Sequence, residues 1–429
     1  MKTYRKSEAM LARAEKRIPL GSQTFSKSRT QYPYGVSPFF IQRGQGSHVW
    51  DVDGNEYIDF VSSLASITLG YQDPDVNEAV RHQLDESGVI FSLPHPLEIE
   101  VAELLCEMVP CAERVRFGKN GSDATAGAIR VARAYTGRDH IAVCGYHGWQ
   151  DWYIGSTARN RGVPMATREL THAFTYNDLG SLERLLLDRP GQFAAVILEP
   201  MNVALPQPGF LEGVKELAHR HGALLVFDET ITGFRYANGG AQAVFGVTPD
   251  LATFGKGLAN GFPVSAVAGR ADVMKEMEEI FFSFTFGGEA LSLAAAKATL
   301  EKLKREPVVQ TLTARGEQAM AGAARVIEEH GLQDLFAING HPTWSFLTIK
   351  DGRGATAFEI KTLWMQEILE RGILSVGTHN VNYAHSREDI DRLIAVYAEV
   401  LPFIGRTLDA GKLREALRCE PLVPLFKVR

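Results

Sequence analysis

Residues 211–229, LEGVKELAHRHGALLVFDE, decide how the chain is built. Leu211, Val214, Leu217 and Ala218 recur at helical spacing, and Gly222 supplies a stop before Ala223 to Phe227, a run without a polar residue. A strand that is apolar at every position has both faces buried, as in a parallel sheet covered by helices. Ile141 to Cys144 and Ala194 to Leu198 repeat the pattern, and Leu251 to Phe254 is a further short run, apolar except for Thr253. Helical stretches separate these runs: Pro96 to Met108 puts Leu97, Val101, Leu104, Leu105 and Met108 on one face, and Ala124 to Tyr135 is rich in alanine. The alternation predicts an α/β fold, with a large domain built on a mixed, mostly parallel sheet.

Outside this core the pattern changes. Residues 1–18 are amphipathic until Pro19, and 19–40 form a connector rich in Pro, Gly and Ser. Ser47 to Val52 and Glu56 to Val61 flank Asp53-Gly54-Asn55, turn chemistry that predicts a hairpin. After about residue 306 a helix, a strand near Thr343 to Ile349, another helix and the apolar Ile373 to Val376 suggest a smaller α+β domain. The expected division is an N-terminal segment, 1–70, contributing to the small domain, a large domain over 71–310, and a C-terminal small domain over 311–429.

With 45% hydrophobic and 22% charged residues, composition excludes a disordered or coiled-coil chain. A net charge of −6 without a basic block argues against nucleic acid or an anionic membrane as partner. No apolar run approaches the roughly 18 to 20 residues of a spanning helix, and the start is polar, so a cytoplasmic protein is expected. Four cysteines, Cys106, Cys111, Cys144 and Cys419, form no C-x-x-C pair and fit a reducing compartment.

Ligands of open α/β sheets sit beyond the carboxyl ends of the strands. The apolar runs are followed by Gly145-Tyr146-His147-Gly148, Glu199-Pro200, Asp228-Glu229 and Gly255-Lys256-Gly257. Lys256, between two glycines, has an amine that a carbonyl compound can approach, which nucleophilic amine chemistry requires. Gly121-Ser122-Asp123 opens a helical stretch, where backbone N–H groups and a hydroxyl can hold a phosphate. Tyr146 could lie on a flat ring. A P-loop, H-E-x-x-H, G-x-S-x-G and C-x-x-C are absent from the sequence, Gly44-x-Gly46 precedes a hairpin instead of opening a helix, and the twelve histidines suggest no metal site.

An amine, a carboxylate, an aromatic face and an anion site at one sheet edge match pyridoxal phosphate, which has an aldehyde, a ring nitrogen, a flat face and a phosphate. The stretches DETITGFR (228–235), PDLATFGKG (249–257) and WDVDGNEYID (50–59) resemble those of class III (ω-type) pyridoxal-phosphate aminotransferases of fold type I, within them the branch similar to glutamate-1-semialdehyde 2,1-aminomutase. The resemblance covers most of the chain. It implies that Lys256 forms the internal aldimine and moves the proton, and that Asp228 partners the pyridinium nitrogen. It also implies that Gly121 and Ser122 bind the phosphate, that Tyr146 stacks, that Thr230 lies on the opposite ring face and that Glu199 and Asn202 stand near the cofactor hydroxyl. Thr285 would reach the phosphate of a second subunit, making a homodimer with shared active sites, and Arg29 would bind a substrate carboxylate. The expected activity is amino transfer from a small-molecule donor to a carbonyl acceptor. Intramolecular amine exchange, as in the aminomutase, is the alternative, although the loop Gly377 to Tyr383 lacks the Phe-Glu-Ala of that enzyme.

Overall fold

A computed structural model of the protein describes residues 2–423. Two compact units divide them: residues 2–64, 68–73 and 310–423 form one, and 65–67 with 74–309 form the other.

The first unit begins with helix Arg5–Ala14, and in the turn after it the N–H groups of Arg17 and Ile18 both donate to Ala14 O. Strands β1 (Ile41–Gln45), β2 (His48–Asp51) and β3 (Glu56–Asp59) pair antiparallel in sequence order. The predicted turn between β2 and β3 is tightened by Asp51 Oδ1, which accepts from the N–H of Asp53 at 3.0 Å and of Asn55 at 2.8 Å.

The second unit is organised by a seven-stranded sheet. Its strands are β4 (Arg114–Gly118), β5 (His140–Cys144), β6 (Thr171–Ala173), β7 (Phe193–Leu198), β8 (Leu224–Asp228), β9 (Leu251–Phe254) and β10 (Ser265–Gly269). The spatial order is β4-β10-β9-β8-β7-β5-β6. Strands β5 to β9 run parallel, and β10 is antiparallel to both β9 and β4. The apolar runs of the sequence are the buried centre of this sheet, and alternate residues serve opposite faces. Ile197 and Val226 pack with Ala128 and Ile129 of helix Gly121–Thr136, whereas Val196, Leu198 and Leu225 pack with Leu211 and Val214 of helix Phe210–Arg220. Sequence patterning missed β4, β6 and β10. Strand β6 is an edge, β4 is an edge that alternates Arg114, Val115 and Arg116, and β10 is made of small residues.

The chain then completes the first unit. Strands β11 (Phe336–His341), β12 (Trp344–Ile349) and β14 (Thr378–Asn380) make an antiparallel sheet, while the two-residue β13 (Ile373–Leu374) joins β3 in parallel. Helices Val308–Glu329, Ala357–Glu370 and Arg387–Asp409 close a core in which Tyr57 and Phe60 meet Trp364 and Tyr397. Among the described residues no helix is long and apolar enough to cross a membrane, and no group of three or more potential ligands could hold a metal ion.

Candidate active site

A cavity of about 310 Å³ lies at the carboxyl edge of the second unit's sheet. Gly121 and Ser122 line it from a helix start, Tyr146 and Glu199 from the ends of β5 and β7, Asp228 and Thr230 from the end of β8, and Lys256 from beyond β9. Seven of the ten residues singled out in the sequence therefore share one wall.

Asp228 closes β8 and is 5% exposed. Its Oδ1 accepts from the Thr230 N–H and from Thr253 Oγ1, each at 3.1 Å, and its Oδ2 lies 2.9 Å from His147 Nδ1. Burial alone would push this carboxyl up, but the hydrogen bond and charge of His147, with the Thr230 contacts, hold it below the usual carboxylate range. His147 Nε2 lies 3.2 Å from Cys144 O. Both ring nitrogens thus lie within hydrogen-bond distance of an oxygen, which fixes the ring between β5 and β8. His147 was not singled out from sequence. Its signal was its place beside Tyr146 at a strand end, between Gly145 and Gly148.

Glu199 follows β7 and is nearly buried. Its Oε2 accepts from the Tyr146 N–H at 3.0 Å and from Asn202 Nδ2 at 2.8 Å, which ties the end of β5 to that of β7. Gly145 makes this possible: it has φ +107°, and a Cβ there would stand 2.5 Å from Glu199 Oε2.

Helix Gly121–Thr136 starts with a capping box. Asn120 Oδ1 accepts from the Asp123 N–H at 3.1 Å, and Asp123 Oδ2 accepts from the N–H of Asn120 at 3.0 Å and of Lys119 at 3.1 Å. The Asp123 carboxylate is thereby engaged with the backbone donors of Lys119 and Asn120. Ser122 Oγ accepts from the Trp149 N–H at 3.3 Å. A Cβ on Gly148 would collide with that Oγ, and one on Gly121 would meet Thr230 Cγ2 at 2.9 Å, so both walls require bare backbone. Lys256 itself adopts φ +38°, a conformation costly for a residue with a side chain.

The remaining predicted residues lie elsewhere. Asn202 lines a neighbouring, larger cavity. Thr285 is exposed in a turn between Phe284 and Phe286. Arg29 belongs to the other unit, with Nε 2.5 Å from Glu15 Oε1.

Comparison with known proteins gives the family. The family model for class-III aminotransferases matches residues 31–336. A 3-aminobutyryl-CoA aminotransferase of Cloacimonas acidaminovorans is 35% identical over 94% of this chain and 98% of its own length. A glutamate-1-semialdehyde 2,1-aminomutase of Syntrophomonas wolfei is 39% identical over 77% of this chain and 80% of its own. The solved structure of the Sphingopyxis sp. MTA144 FumI protein, in its PLP internal aldimine form, superposes with a TM-score of 0.87 at 29% identity, covering 97% of this chain and 99% of that one. The chain belongs to the class-III aminotransferase family.

Proposed function

We propose that the protein is a pyridoxal-phosphate-dependent aminotransferase that moves an amino group from a small-molecule donor to a carbonyl acceptor, with Lys256 and Asp228 at its centre. The carrying observation is that Lys256 and the buried, ionised Asp228 line one cavity whose Gly121 and Gly148 walls have no room for a Cβ. The cavity fits the cofactor: an amine, a carboxylate, an aromatic side chain and a helix start are its donor set. Pyridoxal phosphate supplies, when bound, an aldehyde that takes up amines and a ring that accepts the electrons left by a departing proton.

Each residue then has a task. Asp228, braced by His147, holds a proton on the ring nitrogen. Gly121 and Ser122 present N–H groups and a hydroxyl to the phosphate, where the helix dipole favours negative charge. Tyr146 and Thr230 confine the ring on its two faces, and Glu199, with Asn202 bonded to it, stands at the hydroxyl side. The Lys256 amine takes the proton from the substrate Cα and returns it one position along, as general base and then general acid. Arg29 is proposed to meet a substrate carboxylate.

We also propose a cytoplasmic homodimer. In the second unit Phe281 is 86% exposed, Leu93 80% and Ile99 64%, an apolar surface of the kind a partner covers. Thr285, between Phe284 and Phe286, would reach the partner's phosphate site.

The test is spectroscopic. Purified protein should show a visible cofactor band that shifts when an amino donor is added alone and returns with a carbonyl acceptor; Lys256→Ala should lose the band and at least about a hundredfold in turnover. Conversion of a single amino-aldehyde without use of a donor would instead establish intramolecular exchange, the activity named for the Syntrophomonas relative.

A further inference from the structure

A second cavity, of about 580 Å³, opens beside the first at the ends of β5, β6 and β7. The two share the side chain of Glu199. Its size lies within the roughly 300 to 1,000 Å³ of small-molecule sites, and it exceeds the 310 Å³ beside Lys256.

The walls of this cavity present carbon even where the sequence is polar. The Tyr153 hydroxyl donates to Gly145 O at 2.8 Å and the Tyr176 hydroxyl to Pro200 O at 2.7 Å. Ser156 Oγ donates to Tyr153 O and Thr157 Oγ1 to Ile154 O, both at 2.8 Å. With their hydroxyls turned to the backbone, the tyrosines offer ring faces and edges. Burial pushes the Cys144 thiol up to about 12, so it remains a neutral, weakly polar wall. Glu199 is the one acidic side chain among the lining residues, and with Asn202, whose Nδ2 donates to it at 2.8 Å, it makes the polar end of the cavity at the junction with the Lys256 cavity.

We propose that this cavity binds the hydrocarbon body of the amine substrate, a primary amine bearing an apolar chain of several carbons, with its amino group at the Glu199 end. The inference rests on the aminotransferase reading above and adds the substrate class to it. A carboxylate at one end and carbon along the rest complement an ammonium with an apolar tail. A polyhydroxylated or dicarboxylate donor would leave buried polar groups without partners along those walls.

Isothermal titration of the holoenzyme with n-alkylamines from propylamine to octylamine tests this. Any step common to the amino group contributes equally along the series, so the slope with chain length reads the cavity. Affinity should rise by roughly fourfold per methylene, the factor that burying one CH₂ is worth. Ala173→Trp, from β6, and Ala204→Trp, from the loop after β7, each place an indole in the cavity. Each should abolish the rise beyond propylamine and keep propylamine affinity within about twofold and the melting temperature unchanged. Affinity that is flat with chain length, or a rise that survives both variants, would overturn the proposal. A rise abolished by the variants supports it even if no donor shifts the cofactor spectrum; in that case the aminotransferase reading alone would fall.

Discussion

Gly145 shows how much of the site depends on one missing atom. Its φ of +107° and the 2.5 Å that would separate a Cβ from Glu199 Oε2 act together, so Gly145→Ala meets both backbone strain and a collision with a carboxylate. We expect a loss of about 1 to 3 kcal/mol in urea unfolding and a weaker tie between Tyr146 and Glu199. The visible band should then respond to lower donor concentrations less well than in the parent. At this scale the sequence was informative where a residue type sat at a strand end, as with Lys256, Asp228 and Glu199. It was silent on His147, because that ring's significance is a 2.9 Å contact with a carboxylate 81 positions away. Spacing along the chain carries no trace of such a pairing, and a histidine without ligand partners looks like any other.

Among elements, the helix Gly121–Thr136 carries the proposed anion site, and its start is set by the reciprocal cap of Asn120 and Asp123. Asn120→Ala should cost about 1 kcal/mol of stability by removing the acceptor for the Asp123 N–H. It should also weaken binding of pyridoxal phosphate, measured by equilibrium dialysis, because the Gly121 and Ser122 end would no longer be fixed. Unchanged affinity with reduced stability would separate the cap from the phosphate site. The legibility of elements followed burial. Strands β7 and β8 are buried at every position and could be read as apolar runs, whereas β4 places Arg114 and Arg116 at its exposed positions. The amphipathic pattern over residues 1–18 extends past the helix itself, which spans Arg5–Ala14.

At the scale of the molecule, the first unit carries its own acid sensitivity. His379 is fully buried, with Nδ1 2.9 Å from Ser345 Oγ and Nε2 2.8 Å from the Tyr397 hydroxyl. Burial pushes it down to about 4, below the roughly 6.5 of an exposed histidine. The unfolded chain therefore binds the proton first as pH falls, and protonation favours unfolding. Stability should be full above about pH 6.5, decline by up to about 1.4 kcal/mol per pH unit, and level off below about pH 4, roughly 3 kcal/mol lower. His379→Gln should flatten that part of the urea-midpoint profile; an identical pH dependence in the variant would assign the acid sensitivity to other groups.

The first unit draws its core from both ends of the chain, Tyr57 and Phe60 from one and Trp364 and Tyr397 from the other. On the ribosome these surfaces are made far apart in time. At about 5 to 20 residues per second, the N-terminal strands wait on the order of tens of seconds before the helices that cover them emerge. The second unit, complete by residue 309, can fold during that wait, while the early strands, able to pair with one another, keep an uncovered apolar face. A nascent chain stalled before residue 357 would thus expose Tyr57 and Phe60 to chaperones, and protection of that region should come only with release of the finished polypeptide.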